Sequence, residues 1–204
     1  MFEPYQTISL GPLTVSYMML FLMISVTIGY FFINWYMKHL EIDHKEKVAD
    51  VLMMSLIIGV LTYKFWPFVI EPKLLTAPQN LLYYSGGPYA ILVAIILSIG
   101  YFAFQFFKNG WHTQVIDSVI IGSAVSGFTF FFFIREYGRQ NPLTFGYSSG
   151  EMIHHPVNFY FAWLILLTII GAMVLISKEK KLGRSMFILI GLVFSYLIIS
   201  PLQM

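Results

Sequence analysis

Six stretches of the chain, near residues 13–37, 48–70, 89–107, 115–134, 156–177 and 185–202, are each about long enough to cross a bilayer as a helix, which takes roughly 20 apolar residues. They are continuously apolar rather than alternating, so a transmembrane barrel is excluded. In lipid every backbone N–H and C=O must find its partner within the segment, and each run therefore reads as a helix. Composition agrees. Of 204 residues 58% are apolar and only 11% charged, against about 25% charged in a soluble domain. Too little polar surface is available to cover a water-soluble body of this size. The expected fold class is all-α, a single integral membrane domain of about six transmembrane helices, with no repeat, low-complexity tract or soluble domain.

There is no cysteine, which removes disulfides, thiolate metal sites and thiol nucleophiles. The net charge of +2 is too small to suggest nucleic acid as a partner. No Lys or Arg precedes Lys38, so no basic leader and no cleavable signal peptide are expected.

Basic residues set the expected orientation. The connections 38–47, 108–114 and 178–184 carry Lys38, Lys45, Lys47, Lys108, Lys178, Lys180, Lys181 and Arg184. The opposite side carries Lys73, Arg135 and Arg139, and Lys64 lies inside the second span. The positive-inside rule places the first group in the cytoplasm and both termini outside. The longer connections 71–88 and 135–155 then also lie outside. They hold turn residues (Pro72, Pro78, Gly86-Gly87-Pro88, Pro142, Gly146, Gly150) and the aromatics Tyr83, Tyr84, Phe145 and Tyr147, side chains suited to headgroup depth.

In a chain so sparing of charge, ionisable groups at membrane depth are the informative ones. Lys64 either snorkels to the outer interface or serves a site. Arg135 and Glu136 close the fourth span with Arg139 one turn on, either as a helix-end cluster or as anion ligands. His154 and His155 precede Pro156, a residue suited to the first turn of the fifth helix, and act either as a cap or as a base. All six fall on the predicted outer side. Cations there suit a phosphate, arginine best through its bidentate fork. A neutral histidine suits a general base near neutral pH.

The remaining groups read as structural. Asp117 favours the N-terminal dipole of the fourth helix, and His39, His44 and His112 lie in cytoplasmic connections. Haem ligation would need histidines deep in facing spans. Zinc would need about four ligands, and with no cysteine only the adjacent His154-His155 with Glu136 or Glu151 could contribute. Gly122, Ser123, Ser126 and Gly127 form small-residue pairs for close helix packing, followed by a collar, Phe130 to Phe133, that faces either acyl chains or plain lipid.

The order of these pieces resembles bacterial prolipoprotein diacylglyceryl transferase nearly end to end. Ile8-Ser9-Leu10-Gly11-Pro12-Leu13 with Val15 and Tyr17 resembles the family's entry to its first helix. Lys64 falls at its second-helix arginine, and Ser85-Gly86-Gly87 resembles its W-x-G-G turn. Arg135-Glu136-Tyr137-Gly138-Arg139 resembles the G-E-x-W-G segment. His155-Pro156, then Asn158-Phe159-Tyr160, resembles R-H-P-S/T-Q-L-Y-E, and Lys181-Leu182-Gly183 with Phe187, Leu189, Ile190 and Gly191 resembles the last stretch. The family has seven spans, leaving a short or re-entrant seventh open here.

Several family positions differ. Pro88-Tyr89-Ala90-Ile91 stands in place of its His-Gly-Gly, phenylalanines replace its fourth-helix R-x-x-N, Phe161 replaces the closing Glu, and Tyr196 and Ser200 replace its final-helix Arg and Glu.

The resemblance implies a bacterial plasma-membrane enzyme that moves diacylglycerol from phosphatidylglycerol to the lipobox cysteine of a preprolipoprotein, without cofactor or metal. Its implied catalytic residues are His155 and Glu136, and Lys64, Arg135, Arg139, Gly86, Gly87 and Tyr160 would bind substrate. The alternatives are a non-catalytic paralogue that binds lipid or a lipoprotein partner, and a small transporter subunit.

Overall fold

The structure is a computed structural model that describes residues 1–10, 13–77, 79–80, 84–143, 145–150, 152–177, 180 and 182–203. Gly11, Pro12, Pro78, Tyr83, Glu151, Lys178 and Lys181, all used above, lie outside the described residues. Six helices are long and apolar enough to cross a membrane, which makes this a multi-pass membrane protein. They are α1 (Tyr17–His39), α2 (Lys45–Ile70), α3 (Ala90–Asn109), α4 (Gln114–Phe133), α5 (Val157–Leu175) and α6 (Gly183–Ile199). Their ends fall within a few residues of the hydropathy boundaries, the first excepted.

That first helix starts at Tyr17 because Leu13–Ser16 is a strand, β2, paired antiparallel with β1 (Thr7–Leu10). Ser16 then caps the helix, its Oγ accepting from Met19 N at 3.3 Å. Hydropathy averaged over a span hid this change of backbone, since it does not distinguish a short strand from the helix that follows it.

The chain divides into two units, one formed by 1–42 with 113–204 and one by 43–112. In the first, α1 packs on α4, α4 on α5 and α6, and α5 on α6. Its core holds Tyr36, Ile121, Ala124, Ile165, Ile169, Ala172 and Ile188. Of the small residues of α4, Gly122 and Ser126 do the packing expected of them, whereas Ser123 is exposed and Gly127 leaves room for a Cβ beside Ile165. A Cβ on Gly122 would collide with Ile33, and one on Gly29 would lie 2.8 Å from Ser126 Cβ. Close approach without bulk is what drives helix association where lipid removes the hydrophobic gain.

At one end of this unit lies a three-stranded antiparallel sheet of β3 (Tyr137–Gln140), β4 (Tyr147–Ser149) and β5 (Met152–Pro156), in the order β3-β5-β4. His154 and His155 therefore sit in a strand and do not cap a helix. Pro156 is the N-cap residue of α5, one position before the first helical turn. Phe2 pairs with Ile134 in a parallel bridge, and Arg139 Nε donates to Gln203 O at 3.1 Å. Residues 2 and 203 are thus at the same end as the sheet.

At the other end Asp117 does more than favour its own helix. It is 3% exposed, and its Oδ1 accepts from Ser185 N at 2.9 Å and from Ser185 Oγ, satisfying donors in the first turn of α6. Arg184 turns back from the same turn, where a cation opposes the helix dipole. Its Nε donates to Ile176 O at 3.0 Å and its Nη1 to the Tyr36 hydroxyl. It thereby serves the free carbonyls beyond α5.

The second unit is a helical hairpin of α2 and α3, joined through a 3₁₀ turn, Pro72–Thr76. Gly59 packs against Ser98.

Candidate functional site

Helix α4 ends at Phe133 and the chain leaves it extended at Ile134. The free carbonyl of Phe133 accepts from Phe2 N at 2.8 Å, and Arg135 N donates to Phe2 O at 2.9 Å. This fixes Arg135 beside the first residues of the chain. Its Nη1 donates to Glu3 Oε1 at 2.9 Å and to the Tyr137 hydroxyl at 3.1 Å, and that hydroxyl donates to the same Glu3 oxygen at 2.6 Å. The guanidinium carbon lies 4.8 Å from the centre of the Tyr147 ring and 5.8 Å from that of Tyr137, in cation–π range. Arg135 Nε is buried without a hydrogen-bond partner among the described residues. Burial pushes the Tyr147 hydroxyl up to about 12, with the Arg135 cation pulling the other way.

Two chambers flank this arrangement. One, of about 540 Å³, is lined by Glu3, Arg135, Glu136, Tyr137 and Asn158 together with Phe130, Phe131 and Met18 among others. The other, of about 370 Å³, is almost wholly apolar, with Phe132, Phe133, Phe145, Phe159 and Tyr147 facing Met1 and Phe2. The phenylalanine collar is therefore half-buried and divides its rings between the two chambers. Phe133 stacks on Phe21 at 5.0 Å, and Phe131 meets Phe161 edge-on at 4.9 Å.

The structure brings Arg135 and Glu136 to one chamber. Glu136 is exposed, has no hydrogen bond or ion pair among the described residues, and also lines a smaller cavity of about 140 Å³ with Asn158, Tyr196 and Gln203. Arg139 is exposed and bonded to Gln203. His155 is half-buried with Nδ1 unpartnered among the described residues, its ring 6.1 Å from that of Tyr160. His154 Nδ1 lies 2.9 Å from Gly138 O, a bond within the sheet. Among the described residues no three His, Asp or Glu side chains cluster to hold a metal.

Lys64, Gly86 and Gly87 belong to the hairpin unit, where they shape one turn. Pro67 has no N–H, so the Tyr63 carbonyl of α2 lacks its intrahelical donor. Gly86 N supplies one at 2.8 Å. Gly86 has φ +76°, and a Cβ there would sit 2.7 Å from the Tyr63 hydroxyl oxygen, so backbone and space both require glycine. Lys64 Nζ donates to Tyr84 O at 3.0 Å and Trp66 Nε1 to Pro88 O at 2.6 Å.

Sequence reasoning missed Glu3, Tyr137, Tyr147 and Asn158. Asn158 is 5% exposed and donates to Ile134 O at 3.1 Å. Glu3 offered one signal, as the first charge in a chain with few of them. Comparison with protein-family models, curated proteins and solved structures returned no match for this chain.

Proposed function

We propose that this is a diacylglyceryl-transferase-like membrane protein that holds an anionic phospholipid, phosphatidylglycerol by the family resemblance, at the Arg135 end of the four-helix unit. The observation that carries the reading is the 540 Å³ chamber in which Arg135, Glu136, Tyr137 and Asn158 meet Phe130, Phe131 and Met18. Such a mixture of charge and ring surface fits a headgroup with the start of its acyl chains. In this reading the chamber faces outward, Arg135 takes a phosphate oxygen, and Arg139, four residues on in β3, adds positive charge at the same end of the unit. His155, with a ring nitrogen unpartnered, is the base that would take the proton of an incoming lipobox thiol. Glu136, free of an ion pair, orients the thiol-bearing peptide.

A second reading, a lipid-binding protein without transferase activity, is favoured by one observation. No carboxylate among the described residues bonds to His155, so the imidazole lacks the orienting partner usual for a catalytic base.

The experiment is incubation of the purified protein with phosphatidylglycerol labelled in its diacylglycerol moiety and a lipobox peptide. Label on the peptide thiol that disappears in His155→Ala establishes the transferase. Lipid bound but not transferred, and released by Arg135→Ala, establishes the binding protein. Absence of both transfer and binding overturns the proposal.

A further inference from the structure

Residues Met1–Glu3 wall both chambers, Met1 and Phe2 on the apolar side and Glu3 on the charged side. Their attachment is of a replaceable kind. The main chain is held to the end of α4 by one bridge, Phe2 to Ile134, with two hydrogen bonds, and to the following turn by one long bond, Gln6 N to Glu3 O at 3.3 Å. The Phe2 ring rests against Tyr17 and Phe21, with centroids 4.9 Å from each. Glu3 and Arg135 side chains are 29% and 30% exposed, so their ion pair is screened and open to exchange. The next residues are anchored differently. Pro4 O and Gln6 O accept from Met18 N and Tyr17 N at 3.1 and 2.9 Å, tying the chain to the start of α1. A hinge therefore falls at Glu3, whose carbonyl belongs to the turn that follows while its side chain and the two residues before it are held only against α1, α4 and the sheet.

Charge gives this hinge a consequence. With Glu3 docked, the chamber's charged lining is Glu3, Arg135 and Glu136, one net negative charge, and a second anion is disfavoured. With Glu3 withdrawn, the guanidinium has a vacant fork beside Tyr137, and the segment that lines the apolar chamber with Met1 and Phe2 and the polar one with Glu3 is displaced from both. Head and tail of one amphiphile then have adjoining places.

We infer that Met1–Glu3 is a displaceable strap in which the Glu3 carboxylate stands on Arg135 in place of the anionic group of an amphiphilic ligand. This rests on the lipid reading of the same site and adds its regulation: ligand and strap compete for Arg135, so Glu3 sets the affinity for anionic headgroups.

The test uses the full chain in detergent, titrated with fluorescent phosphatidylglycerol and, as a phosphate-free control, diacylglycerol. Glu3→Gln is expected to tighten phosphatidylglycerol binding by about two- to fivefold, the worth of an exposed ion pair, and to leave diacylglycerol binding unchanged. The gain vanishes in Glu3→Gln combined with Arg135→Gln. Strap position is read separately on Phe2→Cys, the only thiol in the chain. Its maleimide labelling should accelerate on adding phosphatidylglycerol and not diacylglycerol. This second arm carries the test if Glu3→Gln does not yield folded protein.

Binding to wild type with equal or weaker binding to Glu3→Gln, or labelling indifferent to phosphatidylglycerol, overturns the strap and leaves the lipid reading intact. Failure of both wild type and Glu3→Gln to bind overturns both. Binding by Glu3→Gln alone supports a strap that is closed in the resting protein.

Discussion

Burial keeps the Tyr147 hydroxyl protonated to about pH 12 although the Arg135 cation faces its ring. Desolvation disfavours the phenolate more than the guanidinium favours it. Because the folded value lies above the ordinary 10, the contribution of Tyr147 to stability is complete below about pH 10. It is lost as pH rises towards 12. A titration of tyrosinate absorbance should show a component ionising near 12 that is missing in Tyr147→Phe, and a high-pH component unchanged in that variant would refute the burial. Gly86 is the other residue whose neighbours dictate its identity. Gly86→Ala should cost about 1–2 kcal/mol from the left-handed backbone alone, measured as a lowered thermal midpoint in detergent. Shortening Tyr63 to Leu removes the steric part of that cost and not the backbone part.

Helix ends, more than helix bodies, distinguish this chain. Asp117 lies in the first turn of α4, and its carboxylate satisfies the first turn of α6. Arg184, in that same first turn, satisfies carbonyls at the far end of α5. Asp117→Ala leaves two buried donors of Ser185 without an acceptor and should cost about 1–3 kcal/mol. Asp117→Asn, which keeps a carbonyl oxygen, should cost less. Thermal unfolding in detergent gives both values, and equal losses would mean that the charge matters and the acceptor does not. The continuous apolar runs showed α4 and α6 clearly, and the small-residue pairs of α4 held its two packing positions, Gly122 and Ser126, beside Ser123 and Gly127. Neither gave a sign that a side chain at 117 would cap a helix starting at 183, because that pairing exists only once both helices are packed.

For the molecule as a whole, orientation is the property on which the proposed site depends. A cysteine placed at Ser148, beside the exposed face of β4, should react with a membrane-impermeant maleimide in intact cells, and one placed at Lys180 should not. The opposite pattern would invert the topology and remove the outward chamber.

Six spans, their approximate ends and the multi-pass class are properties of the sequence by itself, because the bilayer demands length and apolarity locally and each helix satisfies its own backbone. The sheet over residues 137–156 and the docking of Phe2 on Ile134 came only with the tertiary structure. Strand pairing and the Glu3–Arg135 ion pair join residues far apart in sequence, and no local pattern encodes such partners. For the same reason, the sequence could identify Arg135 as a charge out of place, and only the fold could show that Glu3 already stands on it.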